Sequence, residues 1–133
     1  MGGYSCQKKR ILVVDDDIRT TEIFARLLRE DGHDVEVAHD AESAKDRLQH
    51  LAMLDVLVTD LQMPRGDGFA VARFARELQP LLPIVFVTGY PDRVSRRLKL
   101  LDPQPRVFVK PLDYGALSVE ILGLGPYDNG SHD

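Results

Sequence analysis

Several polar side chains that suit phosphoryl chemistry follow short apolar runs in this chain. An acidic triplet, Asp15 to Asp17, follows the first run, and Asp60 ends the third. Thr88 ends the fourth run and Lys110 ends the fifth. A carboxylate can attack phosphorus as a nucleophile, and a hydroxyl and an ammonium can bind the oxygens of the transferred group. These residue types predict phosphoryl transfer to Asp60, with Thr88 and Lys110 holding the group.

Each of these residues also has an ordinary structural explanation. Asp is a preferred helix N-cap, so Asp60 and one member of the triplet could serve as caps. A β-branched Thr88 suits a strand, and a single Lys110 could lie in solvent. Three adjacent carboxylates repel one another, however, and a nearby cation explains the triplet better. Oxygen ligands favour Mg²⁺, so we expect a divalent cation here.

The spacing of apolar residues predicts alternating strands and helices. Val, Ile, Leu and Phe dominate the first, third and fourth strand patterns, as expected for strands buried on both faces. Helical stripes separate the strands, the first ending near Gly32 and the fourth built from Val94, Leu98 and Leu101. The predicted strands are Ile11–Val14, Val35–Ala38, Asp55–Thr59, Ile84–Thr88 and Arg106–Val109.

Alternating strands and helices with short loops predict an α/β fold, a parallel sheet with helices on both faces. The carboxyl ends of parallel strands share one edge, where ligands of such sheets bind. The polar residues above should therefore meet at that edge.

Composition restricts the other classes of function. The 133 residues carry a net charge of −4, which gives no reason to expect nucleic acid or an anionic membrane as a partner. A single cysteine, Cys6, excludes an intramolecular disulfide. No apolar run is long enough for a membrane span or a signal peptide, so a cytoplasmic domain is expected.

Four motifs in this order resemble the receiver domains of two-component response regulators. They are ILVVDDD at 11 to 17, VLVTDLQMPRGDGFAV at 56 to 71, IVFVTGY at 84 to 90 and VFVKPL at 107 to 112. The resemblance spans about residues 10 to 122. It implies a flavodoxin-like, doubly wound five-stranded parallel sheet of order 2-1-3-4-5 with five helices.

The resemblance also implies roles for single residues. Asp60 becomes the phosphoacceptor and shares Mg²⁺ (or Mn²⁺) with Asp15 and Asp16. Thr88 becomes the switch hydroxyl and Lys110 the lysine of the site, with a Lys110–Pro111 bond that is often cis. The implied phosphodonor is a histidine kinase or a phosphotransfer protein, and the phosphorylated domain changes its affinity for an output partner.

Other positions bear on the access of water to the phosphoryl group and on how the signal is transmitted. Gln62 and Tyr90 lie two residues beyond Asp60 and Thr88, where receivers control access of the hydrolytic water. Receivers usually carry Tyr or Phe three residues before the lysine, but this chain has Val107 there, and Phe108 comes one residue later. An aromatic rotamer switch is therefore not expected, and Thr88 with the Gly89–Pro91 loop should transmit the signal.

Residue type alone indicates two surface features. A basic helix with Arg93, Arg96, Arg97 and Lys99 is either a solvated face or a partner face, and the output partner is placed at residues 91–101. The four histidines, His33, His39, His50 and His132, lack metal-ligand spacing and are expected at the surface.

The expected domain organisation is one receiver domain over residues 10–122, flanked by flexible tails at 1–9 and 123–133. No second domain fits within these residues, and both a stand-alone regulator and a domain of a larger protein stay open. The alternative functions are a metal-dependent phosphatase-like hydrolase and an interaction module that never uses its site. The first would need a general base near Asp60, which the sequence does not offer, and the second would not need all five site residues.

Overall fold

A computed structural model describes residues 8–63, 66–93 and 95–124 of the chain. Five strands and five α-helices alternate along these residues. A short 3-10 helix precedes the fourth α-helix, and a two-stranded ribbon lies between the third strand and the third helix. In chain order the elements are β1 Arg10–Val14, α1 Ile18–Glu30, β2 Asp34–Ala38, α2 Ala41–His50, β3 Val56–Asp60, α3 Gly68–Leu78, β4 Ile84–Thr88, α4 Ser95–Leu98, β5 Arg106–Val109 and α5 Tyr114–Gly123.

The five strands form one parallel sheet of order β2-β1-β3-β4-β5, which confirms the predicted order. Alternate side chains of each strand enter two separate cores. Leu12 and Phe86 belong to the core that contains residues of α2 and α3. Val13 and Val87 belong to the core that contains residues of α1 and α5. Burial on both faces explains why the strand sequences are almost continuously apolar.

An aspartate caps each of the four longer helices. The carboxylate of Asp17 accepts a hydrogen bond from the N–H of Thr20 at the start of α1, and Asp40, Asp67 and Asp113 do the same for α2, α3 and α5. α1 ends just before Gly32, which adopts a φ of 99°. Only glycine enters this region readily, so Gly32 ends the helix as predicted.

The third strand begins one residue later than predicted. It runs over Val56–Asp60, and the carboxylate of Asp55, just before it, accepts a hydrogen bond at 2.7 Å from the backbone N–H of Arg10 on the neighbouring strand. The strand also ends one residue later than predicted, so Asp60 is its last residue and pairs with Val87 of β4.

The predicted fourth helix is shorter than its apolar stripe suggested. α4 comprises only Ser95–Leu98, after the 3-10 turn Pro91–Arg93, and Val94 of the stripe lies outside the described residues. Like charges three residues apart, as at Arg96 and Lys99, destabilise a helix. Leu98 and Leu101 are buried as the stripe predicted.

The amino-terminal edge of the sheet joins the two ends of the described chain. The Lys9 ammonium donates a hydrogen bond to the carbonyl of Leu124. The backbone N–H of Lys9 donates to Nδ1 of His33 at 3.1 Å. His33 is only 5% exposed, so its predicted surface position was wrong. Its hydrogen bond with Lys9 joins residues 24 positions apart in the chain, a contact that no local pattern signals.

The other histidines lie in different environments. His50 is exposed as predicted, and His39 is partly buried. Cys6, His132 and most of the two predicted tails lie outside the described residues. Within the residues that the structure describes, no helix is long and apolar enough to cross a membrane.

Candidate functional site

The carboxyl edge of the sheet brings the predicted site residues together. Backbone hydrogen bonds continue the strand pairing one residue past the strand ends. The N–H of Asp15 donates to Ala38, and the N–H of Lys110 donates to Thr88 at 2.8 Å. These bonds aim the side chains that follow β1 and β5 over the end of the sheet, toward Asp60.

Asp60 and Lys110 form the closest charged contact of the site. Lys110 Nζ lies 2.9 Å from Asp60 Oδ2 and 3.6 Å from Asp15 Oδ2. The Asp60 side chain is only 4% exposed, whereas that of Lys110 is 38% exposed. Partial burial by itself lowers the pKa of Lys110, but its hydrogen bond to Asp60 and the negative charges of Asp15 and Asp60 raise it overall. Lys110 therefore carries a fixed positive charge beside the carboxylates.

Three carboxylates cluster around this contact. Asp15, Asp16 and Asp60 each offer an oxygen, and these oxygens lie within 4.8 Å of one another. Burial raises the pKa of Asp15 to about 6, an effect that the N–H of Asp17 partly offsets. Asp17 itself caps α1. The triplet thus divides into one helix cap and two carboxylates that lie beside Asp60.

The Thr88 hydroxyl is held from two sides. It is fully buried, accepts a hydrogen bond from the backbone N–H of Tyr90 and donates one to Oε1 of Gln62, both at 2.9 Å. The backbone N–H of Gln62 in turn donates to Asp60 Oδ1 at 3.1 Å. Gln62 and Tyr90, which the sequence singled out for water access, thus also contact the Thr88 hydroxyl.

The segment after Asp60 is tightly packed against the strand. Gln62–Met63 and Gly66–Asp67 pair as an antiparallel ribbon, and Pro64 lies outside the described residues. Gly68 is buried at the first position of α3. A Cβ at Gly68 would lie 2.0 Å from the carbonyl oxygen of Asp60. Glycine is required here by space, and its backbone φ is not positive.

β5 presents Val107 and Phe108 to opposite faces of the sheet. Val107 packs against the core that contains α2 and α3, and Phe108 against the core that contains α1 and α5. The pairing of β4 with β5 runs from Val85 to Thr88 without a bulge. The Lys110–Pro111 bond that follows is cis, as the resemblance implied.

Two contacts near the site had no signal in the sequence. Nδ1 of His39 lies 3.2 Å from the Asp15 carbonyl oxygen and 3.3 Å from the Thr21 hydroxyl. Arg97 of α4 forms a 3.0 Å ion pair with Asp67, the cap of α3. Each contact joins residues far apart in the chain, and motif spacing describes only positions near one another.

Comparisons with known proteins agree with this geometry. The family profile of the response regulator receiver domain matches residues 11–121. Response regulator MprA of Mycobacterium avium is 44% identical over 93 residues, which are 70% of this chain and 40% of that protein. Transcriptional regulatory protein TrcR of Mycobacterium tuberculosis is 32% identical over 115 residues, 86% of this chain and 44% of that protein. The chain spans about two-fifths of the length of these relatives.

Solved structures of the same architecture superpose well. The receiver domain of the hybrid histidine kinase CckA is 29% identical, with a TM-score of 0.72 over 84% of this chain and 94% of that one. The Vibrio cholerae chemotaxis protein CheY4 is 26% identical, with a TM-score of 0.79 over 88% of this chain and 98% of that one.

Proposed function

The chain belongs to the response regulator receiver domain family, and we propose that it accepts a phosphoryl group on Asp60 from a histidine kinase or a phosphotransfer protein. Family membership makes it a signalling switch of a two-component system. The observation that supports the proposed chemistry best is the contact between the buried Asp60 carboxylate and the Lys110 ammonium at 2.9 Å. The hydrolase alternative finds no support among the receiver domains that resemble the chain.

The proposed reaction moves a phosphoryl group between two nucleophiles. A carboxylate oxygen of Asp60 attacks the phosphorus of a phosphohistidine donor. A P–O bond forms as the P–N bond breaks, the imidazole nitrogen leaves with the bond pair, and Asp60 becomes an acyl phosphate. Lys110 supplies positive charge to the phosphoryl oxygens, and Thr88 donates a hydrogen bond to the bound group.

The carboxylate cluster fits a divalent cation. Its three ligand atoms are carboxylate oxygens within 4.8 Å of one another, the ligand type and spacing suited to Mg²⁺ or Mn²⁺. A cation held by Asp15, Asp16 and Asp60 would neutralise negative charge on the phosphoryl oxygens. Because only three carboxylates contribute, weak binding is expected.

The surroundings of the cluster suit a protein phosphodonor. A cavity of about 310 Å³ beside Asp60 is lined by apolar residues of α1 and of the loop after Lys110, among them Phe24 and Leu112. Ile18 and Ile23 on α1 are more than half exposed. We propose that the donor covers these side chains, and that the output partner at residues 91–101 uses the basic surface formed by Arg96, Arg97 and Lys99, which are exposed. The output activity and the cytoplasmic location stay predictions.

Labelling of Asp60 tests the proposal directly. The protein is incubated with a small acyl-phosphate donor and Mg²⁺, and its intact mass is followed. The wild type should gain one phosphoryl group, and Asp60→Asn should gain none. Asp55→Asn is a matched control just before the start of the same strand, where Asn can still accept the hydrogen bond from Arg10. Equal labelling of wild type and Asp60→Asn would overturn the assignment.

The metal assignment has its own matched pair. Asp16→Asn replaces a proposed carboxylate ligand by a neutral amide and should weaken both Mg²⁺ binding and labelling. Asp17→Asn changes the neighbouring residue but keeps a good helix cap, so it should label like the wild type. Labelling that proceeds equally well with excess chelator would show that the metal role is wrong.

A further inference from the structure

The Thr88 hydroxyl has already used its one proton. A hydroxyl donates a single hydrogen bond, and that of Thr88 goes to Oε1 of Gln62 at 2.9 Å. The N–H of Tyr90 occupies a lone pair of the same oxygen. Thr88 therefore cannot donate to a phosphoryl oxygen while its hydrogen bond to Gln62 persists.

Gln62 links the switch hydroxyl to the acceptor carboxylate. Its backbone N–H donates to Asp60 Oδ1 at 3.1 Å, while its side chain accepts from Thr88. The backbone bond keeps the Gln62 side chain next to Asp60, where a phosphoryl group would arrive. The two bonds place the Gln62 carboxamide, which accepts the hydrogen bond of the Thr88 hydroxyl, beside the site of phosphorylation.

We propose that Gln62 is a positioning residue that holds Thr88 in its unphosphorylated arrangement and competes with the phosphoryl group for the Thr88 hydroxyl. This inference rests on the proposed function. It adds that the unphosphorylated arrangement of Thr88 opposes activation. Occupation of the site on Asp60 has to break the hydrogen bond between the carboxamide and the hydroxyl. A ligand shifts a two-state equilibrium only by its differential affinity for the two states, so this bond lowers the apparent affinity of the site.

The expected size follows from the strength of one hydrogen bond. The net contribution of such a bond corresponds to a factor of about two to ten in an equilibrium constant. Gln62 is exposed, which favours the lower part of that range. Loss of the Gln62 acceptor should therefore tighten binding of a phosphoryl mimic by about two- to tenfold.

The probe is beryllofluoride with Mg²⁺, titrated into the protein and followed by amide NMR. Gln62→Met keeps the length of the side chain and the backbone N–H but lacks the acceptor, and it should bind the probe more tightly than the wild type. In a Thr88→Val background, which lacks the competing proton, Gln62→Met should have no effect. A double-mutant cycle of this kind isolates the contact between the two side chains.

A second measurement reports the position of Thr88 without any ligand. Three-bond scalar couplings should show one χ1 rotamer of Thr88 in the wild type and rotamer averaging in Gln62→Met. Gln62→Glu keeps an acceptor oxygen and should restore the single rotamer. A role of Gln62 in water access alone would leave the Thr88 rotamer unchanged in every variant.

The outcomes separate the two proposals. If the wild type and Asp60→Asn bind beryllofluoride equally, or neither binds it, the proposed function is wrong and the inference fails with it. If binding requires Asp60 but Gln62→Met leaves both affinity and Thr88 rotamer unchanged, the competition by Gln62 alone is wrong. Equal tightening in the Thr88→Val background would also overturn it, because Thr88 would then have no part in the effect.

Discussion

Residues of one chemical type perform different tasks at the carboxyl edge of this sheet. Asp15, Asp16 and Asp17 are adjacent, yet Asp17 binds the N–H of Thr20 and caps α1, while Asp15 and Asp16 join the cluster with Asp60. The three side chains point in different directions, because the chain turns from strand into helix across the triplet. The residue type determines which contacts a carboxylate can make, and the backbone geometry determines which of them it makes.

Tyr90 is expected to control the lifetime of the acyl phosphate. Its side chain is 54% exposed, and its backbone N–H holds the Thr88 hydroxyl. Substitution leaves that N–H in place, so the side chain can be tested separately. Tyr90→Ala should lose phosphate severalfold faster than the wild type after removal of the donor, because water reaches the phosphorus more easily.

The control for this experiment is Tyr90→Phe, which keeps the aromatic ring and should retain the lifetime of the wild type. Intact mass measured at intervals gives the rate of loss. An unchanged or slower rate in Tyr90→Ala would contradict the shielding role.

At the scale of elements, α3 and β3 meet too closely for any side chain at Gly68. A Cβ there would lie 2.0 Å from the Asp60 carbonyl oxygen and 2.9 Å from the Thr59 hydroxyl oxygen. Gly68→Ala should therefore displace the start of α3 or the end of β3. Overpacking of this kind costs typically about 1–3 kcal/mol in the free energy of unfolding, and labelling of Asp60 should fall as well.

Gly89→Ala is the matched control for Gly68→Ala. No heavy atom lies within 4 Å of a Cβ at Gly89, and its φ is not positive, so no loss of stability is expected. Urea unfolding compares the two variants with the wild type. Equal midpoints for Gly68→Ala and the wild type would mean that the chain relieves the contact at no cost.

β5 and α4 provide different routes from Asp60 to the basic surface. Phe108 packs on the face of the sheet opposite to Val107, and the regular pairing of β4 with β5 gives it no path to the Thr88 side. Arg97 of α4 instead contacts the segment after Asp60, through its ion pair with Asp67 and its stacking at 4.3 Å on the Phe69 ring. The contacts favour a signal that passes through this segment and the Gly89–Pro91 loop.

Amide NMR of the phosphorylated protein distinguishes these routes. Phe108→Leu should leave the shift changes of residues 89–101 in place, whereas Arg97→Gln should reduce them, with Asp60 labelled equally in both variants. If Phe108→Leu abolishes the response while Asp60 still labels, Phe108 transmits the signal and the route through α4 is wrong.

At the scale of the whole molecule, the sequence predicts those features that depend on residues close together in the chain. Apolar runs locate the strands, and a parallel sheet then brings Asp15, Asp60 and Lys110 to one edge, so fold and candidate site follow together. Contacts between distant segments escape such patterns. The burial of His33 and the close contact between α3 and β3 at Gly68 depend on tertiary packing. The spacing of residue types along the chain does not reveal such packing.

The edge of the sheet opposite to the site should make stability depend on pH through His33. The N–H of Lys9 donates to its Nδ1, which requires a neutral ring with the proton on Nε2. Burial lowers the pKa of His33, and the nearby Lys9 charge adds to this, although Asp31 opposes it. Below the ordinary histidine value of about 6.5, the unfolded chain therefore binds more protons than the folded one.

The sign of the effect follows from this difference in protons. The contribution of His33 to the free energy of unfolding is fully present above about pH 6.5 and falls as the pH decreases toward the lowered pKa of the folded state. His33→Asn offers an uncharged acceptor to Lys9 and does not titrate. It should be less stable than the wild type near neutral pH, because the imidazole packing is lost, and the deficit should shrink as the pH falls toward 5.

Urea unfolding of both proteins across pH 5 to 8 measures this difference, and His50→Asn serves as the control because His50 is exposed. Effects that are common to all three proteins cancel when the curves are subtracted. Each unit by which folding depresses a pKa is worth about 1.4 kcal/mol, which sets the scale of the expected convergence. If the wild-type and His33→Asn curves stay parallel over this range, His33 does not titrate differently in the folded protein, and the buried neutral ring is the wrong explanation for its contact with Lys9.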